Sequence, residues 1–237
     1  MQHIYQLKDK DHPTWEKLIW RYVYNPSAEE VEKLIADYDI PRDFVSSALD
    51  PYEVSRQEAY RNSQGDEFEL LVFLYPDYHQ SQEFKDRLQV HPLSVIIHDH
   101  EVITISKHPL SFLDDIAHDF ADSDLVDYST FGLVLAIFWQ ISKRYTQYLV
   151  SIDQRIHQIE EMVTDSTSNE ILYELIGLNK GLVYYETAID GNHNILESLV
   201  TFLKEEEAPA KDLRLLRDVQ VEHNQAEIMV YQQQKND

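Results

Sequence analysis

Apolar residues in the second half of the chain recur at alternating steps of four and three. Over 145–163 the positions are Tyr145, Leu149, Ile152, Ile156, Ile159 and Val163. Over 171–203 they are Ile171, Leu175, Leu178, Leu182, Tyr185, Ile189, Asn192, Leu196, Leu199 and Leu203. This rhythm lays one apolar seam along one side of a helix, the coiled-coil pattern. It predicts long helices over 129–165 and 168–204, and a third from 210 to 237 after Pro209. A helix of about 35 residues is about 50 Å long, more than a small domain needs for its own core. The third has no stop signal, so it is expected to continue into something further.

The first half alternates short strands and helices. Strands are predicted over 4–7 and 18–24. Ser27 and Glu30 form a capping box for a helix to Tyr38, with Val31, Leu34 and Ile35 on its apolar face. Pro41 suits a first helical position and opens a short helix to Leu49, which Asp50-Pro51 ends. Residues 52–61 read as extended. The run 67–75 is apolar enough for a strand buried on both faces. Segments 87–98 and 101–106 read as a hairpin around His98-Asp99-His100, and Pro109 opens a helix to about Phe120. The fold class is therefore α/β, with a mixed sheet flanked by helices over 1–126 and long helices over 127–237. The acidic link 119–127 marks the boundary.

Composition narrows the functions. There is no cysteine, which removes disulfides, thiolate metal ligands and a cysteine nucleophile. The formal charge of −23 disfavours nucleic acid and would attract cations, although a solvated acidic surface is the simpler explanation. The longest apolar run, 131–139, is too short to cross a bilayer. It reads as the buried start of a helix. No secretory signal is visible.

Candidate chemistry is sparse. There is no glycine-rich phosphate loop, HExxH, GxSxG or Glu-x-x-His pair, so no enzyme class is indicated. His98 and His100 could share a strand face as zinc ligands, with Asp99 between them, but a hairpin end also favours these residues for turn reasons. Asp114, Asp115, Asp119, Asp122, Asp124 and Asp127 form one acidic stretch, and Glu205, Glu206 and Glu207 another. Either could attract a hard cation, or simply be solvated. Asn192 lies on the second seam, where it either sets register or sits at an edge. Trp139, Tyr145 and Tyr185 read as packing residues.

The elements occur in a telling order: the strand near Trp20, the helix after Pro26-Ser27, Ile40-Pro41 to Leu49-Asp50, the strand near Leu71, and Val102-Ile103-Thr104-Ile105. The helix entering Tyr145, the run Ile152-Asp153-Gln154-Arg155-Ile156-His157-Gln158-Ile159-Glu160, and Leu216-Arg217-Asp218-Val219 follow. Together they resemble the cytoplasmic part of CorA-type magnesium transport proteins over essentially the whole chain. The resemblance implies an αβα domain, two helices folded back beside it as an antiparallel, coiled-coil-like bundle, and a stalk helix leading to two membrane spans. It implies a homopentamer at the cell membrane, with this portion on the cytoplasmic side. The family's Gly-Met-Asn loop is absent here, so the chain reads as a portion cut inside the stalk.

The family's regulatory metal site lies between protomers. Its stalk aspartate matches Asp218, but its carboxylate pair aligns with Ser46 and Ser47. Asp43 and Asp50, one turn to either side, are the candidates to take over, with Glu222 on the stalk. Mg2+ is the implied regulatory ion, with Zn2+, Co2+ or Ni2+ as alternatives. The expected function is to couple intracellular divalent-cation level to pore gating. A zinc or other divalent-cation transporter on the same scaffold is the alternative, and a soluble coiled-coil interaction protein is the reading of another class. The transporter reading expects the third helix to leave the head as a rod, not to fold back with its seam sealed inside one chain.

Overall fold

The computed structural model describes residues 1–6, 18–78, 88–121, 129–165 and 169–235, with the side chains of 119–121 and 162–165 also outside that description. Its strands are β1 (Gln2–Gln6), β2 (Ile19–Tyr24), β3 (Arg56–Arg61), β4 (Glu67–Tyr78), β5 (Leu88–His98) and β6 (Glu101–Ser106). They make one sheet in the order β1-β2-β6-β5-β4-β3. Only the β2–β6 pair is parallel, so the sheet is mixed.

Alternation decides which helices cover which face, because successive strand side chains point to opposite sides. Leu70, Val72, Ile96, Ile103 and Ile105 face α1 (Ala28–Tyr38) and α2 (Arg42–Ser46). Leu71, Phe73, Val95, Ile97 and Val102 face the other way, into a core shared with α3 (Ser111–Ala121) and α4 (Thr130–Asp165). α5 (Asn169–Glu205) and α6 (Ala210–Lys235) complete that second core. β4 is buried on both faces, as its unbroken apolar run predicts.

Local signals hold with small shifts. The capping box forms: Ser27 Oγ accepts from the Glu30 N–H at 3.2 Å, and the Ser27 N–H donates to Glu30 at 2.8 Å. Pro41 is the N-cap, not the first helical residue, and the helix after it tightens into a 3-10 turn at Ser47–Leu49. β4 runs on to Tyr78 despite Pro76. β3 stops at Arg56, opposite Val72. Pro76 has the parity of Leu74, whose N–H points to that vacated edge, so its missing donor leaves no ladder bond unmade.

The long helices form where the seams predict. Tyr145, Leu149, Ile152, Ile156 and Ile159 are buried on α4; Val163 lies outside the described side chains. On α5 the seam is buried from Leu178 to Leu203, whereas Ile171 and Leu175 are only partly covered. There the buried position is Glu174, whose carboxylate accepts two hydrogen bonds of 2.8 Å from Arg155 on α4.

Paired levels fix the helix directions. Phe131 meets Phe202 and Arg155 meets Glu174, so α5 runs antiparallel to α4. Ser129 meets Asp212 and the Leu149 carbonyl accepts from Gln233, so α6 runs parallel to α4. The buried side of α6 is Asp212, Leu216, Val219, His223, Ala226, Val230 and Gln233. Those steps of four and three are the third seam, sealed inside the chain against α4 and α5. The expectation of a helix standing free of the head is thereby corrected for residues 210–235, and the transporter reading draws no support from this helix. Among the described residues no helix is long and apolar enough to cross a membrane.

Candidate functional site

The acidic residues chosen from the sequence fall on two layers. Asp43 and Asp50 belong to the α1–α2 layer, whereas Asp218 and Glu222 are on α6, across the sheet. One chain cannot bring all four to a single ion.

Around α2 the local charge is already balanced in part by Arg56. Its guanidinium lies 3.5 Å from Asp43 and 3.5 Å from Glu53, pairs with Glu58, and donates to Ser47 Oγ at 2.8 Å. Ser47 is buried and also donates to the Asp43 carbonyl; Ser46 is half-buried. Asp50 is exposed and accepts the Tyr52 N–H, closing a turn. A carboxylate held by an arginine is a poorer ligand for a cation than a free one, so Asp43 fits an ion less well than Asp50 does.

Asp218 is exposed on α6 and has no ion pair among the described residues. With Glu222 it lines a shallow groove of about 500 Å³ that also holds Trp139, Leu215 and Val221. Glu222 accepts a hydrogen bond from the Thr146 hydroxyl. Carboxylate oxygens lining a groove would suit a hydrated hard cation. Two carboxylates do not complete a shell, so an ion there would need further ligands from water or another chain.

The other candidates resolve into structure. His98 ends β5, stacks on Phe68 at 4.2 Å, and places Nδ1 3.0 Å from the Glu67 carbonyl. Asp99 takes a left-handed backbone (φ 48°) and His100 lies in the turn, so the two histidines do not share a strand face. Asp114 and Asp115 are exposed on α3, and Glu205, Glu206 and Glu207 are exposed at the end of α5. The Asp119 side chain and Asp122, Asp124 and Asp127 lie outside the described residues.

Asn192 is wholly buried, and it bonds to the sheet. Its Nδ2 donates to the Leu74 carbonyl at 2.7 Å, and its Oδ1 accepts from the Leu74 N–H at 3.0 Å and Ser55 Oγ at 2.7 Å. The side-chain amide thus continues the ladder where β3 has stopped. Tyr145 donates to the same Leu74 carbonyl at 3.0 Å, and Tyr185 to the Asp77 carbonyl at 2.8 Å. These three side chains fasten the long helices to the edge of β4.

A second polar cluster joins α5 to α6. His193 Nδ1 lies 2.7 Å from Glu227 Oε1, and His223 Nε2 lies 3.6 Å from the same oxygen. His223 is wholly buried, with its ring against Phe138 at 5.4 Å. Burial, and secondarily His193, lowers its pKa to about 4; the Ile189 carbonyl pulls weakly the other way. Sequence reasoning missed this cluster. The readable signal was a histidine at a seam position of the third helix with a carboxylate four residues on, His223 and Glu227. Its partner His193 follows Asn192 on another helix, which spacing alone could not bring near.

The family description that matches residues 15–236 is "CorA-like Mg2+ transporter protein". The cobalt/magnesium transport protein CorA of Methanocaldococcus jannaschii is 22% identical over 184 residues, 76% of this chain and 54% of that protein. The chain therefore spans about half the length of that relative. The complete structure of the CorA magnesium transporter from the same organism superposes with a TM-score of 0.77 at 20% identity, covering 98% of this chain and 73% of that one. The soluble domain of that CorA gives 0.75 at 18% identity, covering 98% and 92%. The ZntB cytoplasmic domain from Vibrio parahaemolyticus gives 0.62 at 13% identity, covering 92% and 86%. At these identities the structural likeness is one of fold.

Proposed function

The chain belongs to the CorA-like Mg2+ transporter family, a family of transporters and not of enzymes, and from that premise we propose that it is the cytoplasmic regulatory part of a divalent-cation transporter at the cell membrane. The observation that carries this reading is the family match over 15–236 together with the likeness to a CorA soluble domain over 98% of the chain. Membrane spans and pore would lie in other parts of the whole protein.

The proposed regulatory step is cation-dependent association of copies, as a homopentamer in the full-length protein. Two observations support it. α6 carries a second stripe opposite its buried seam: Arg214, Arg217, Val221, Asn224, Ile228, Tyr231 and Lys235, again at steps of three and four. Val221, Ile228 and Tyr231 on it are more than half exposed, apolar surface available to another copy. The separation of Asp43 and Asp50 from Asp218 and Glu222 by the sheet means that only neighbouring copies could share an ion among them.

Copies at −23 each repel one another. A divalent cation between them lowers that repulsion and stabilises the assembly that binds it better. Mg2+ is the proposed ion, since the available ligands are oxygens. Plentiful cation would hold the assembly closed, and depletion would let it open. Titration calorimetry of Mg2+ into the wild type and Asp218→Ala tests the residue assignment. The reading expects at least a several-fold loss of affinity in the variant; identical isotherms would remove Asp218 from the site.

A further inference from the structure

We propose that His193, His223 and Glu227 form an intrachain transition-metal site joining α5 to α6, one that takes Zn2+ or a similar nitrogen-seeking ion and not Mg2+. The three residues each offer one ligand atom, and these atoms lie within 4.8 Å of one another. In a tetrahedral zinc site, ligand atoms stand about 3.3 Å apart, given bond lengths near 2.0–2.1 Å. Closing the difference takes side-chain rotation of an ångström or so. His223 and Glu227 are one helical turn apart on α6, so both already face α5.

Three features separate this cluster from an ordinary ion pair. His223 Nε2 is buried and makes no hydrogen bond of good geometry. A buried group of this kind normally finds one. The His193 Nδ1 likewise makes no well-formed hydrogen bond despite its 2.7 Å approach to Glu227. Finally, each ring's other nitrogen has a partner suited to orienting a metal ligand. His193 Nε2 is 3.5 Å from Glu197 Oε1, and His223 Nδ1 is 3.5 Å from Ser142 Oγ. Ligating histidines characteristically pass their second N–H to such an acceptor, which fixes tautomer and ring orientation.

The donor set decides the ion. Two imidazole nitrogens and one carboxylate suit Zn2+, Co2+ and Ni2+, whereas Mg2+ asks for six oxygens in near-octahedral array. Three protein ligands leave one position for water. The site lies within one chain and rests on none of the residues proposed for cation-dependent association.

The test is titration of chelator-stripped protein with Zn2+, with Co2+ as a spectroscopic substitute. The expected result is one Zn2+ per chain, undiminished by a large excess of Mg2+, and visible d–d bands of four- or five-coordinate Co2+. His193→Ala and Glu227→Gln, both at partly exposed positions, should each weaken Zn2+ binding at least tenfold while circular dichroism stays unchanged. Glu197→Gln should weaken it by about tenfold, as loss of an orienting partner does. Asp218→Ala should leave it unaltered. Absence of stoichiometric Zn2+ binding, or binding that His193→Ala and Glu227→Gln leave intact, would overturn the assignment.

Discussion

Asn192 replaces a strand with a side chain: one carboxamide gives Leu74 the donor and acceptor that β3 no longer supplies. Removing it strands a buried N–H, which costs about 1–3 kcal/mol. Asn192→Ala should therefore lower unfolding stability by roughly that amount in chemical denaturation, and Asn192→Leu, though apolar and seam-compatible, should not restore it. Spacing placed Asn192 on the seam but could not say what it bonds, because its partner is 118 residues away. His223 adds a pH dependence to the metal-free protein. Its folded pKa, about 4, lies below the unfolded value near 6.5, so the unfolded chain takes up the proton first. The stability it contributes is complete above about pH 6.5 and is lost as pH falls toward 4. In chelator, denaturation at pH 7 and pH 5 should differ by roughly 2 kcal/mol from this group alone. In His223→Met that share of the difference should disappear.

At the scale of elements, apolar periodicity placed the three long helices to within a residue or two at their described ends, because a heptad seam is a local property of the chain. The same periodicity could not tell which chain a seam faces. The seam of α6 turned out to be closed by α4 and α5 of its own chain, leaving Val221, Ile228 and Tyr231 outward. Nor could it register how closely α5 approaches the sheet. A Cβ at Gly181 would overlap the Leu88 side chain at the start of β5. Gly181→Ala gains helix propensity of about 1 kcal/mol but must push the helix off the strand, at about 1–3 kcal/mol. The expected outcome is a net loss in melting temperature, with Leu88→Gly, which removes the overlapping Cβ, partly rescuing it. A double-mutant cycle checks that coupling. The zinc reading of His98 and His100 fails for a comparable reason. The turn is only two residues long, so Asp99 and His100 belong to the bend and not to a strand.

Across the whole molecule, the sheet divides chemistry as well as cores. Asp43 and Asp50 lie on one layer, Asp218 and Glu222 on the other, and Arg56 already answers part of the charge beside α2. The order of strands and helices made the fold class legible, since each element carried its own signal. Ser46 and Ser47 left the proposed regulatory site only half legible, since the sequence shows which family ligands are missing and not which side chains would replace them. What remains is a claim about assembly: strongly acidic copies meet along the outer stripe of α6 when a divalent cation lowers their repulsion. Molar mass by light scattering, in Mg2+ and again in chelator at the same protein concentration, reads that claim most directly. A larger mass in Mg2+, returning to the smaller value on chelation, is the predicted result; the same mass in both conditions would contradict the account.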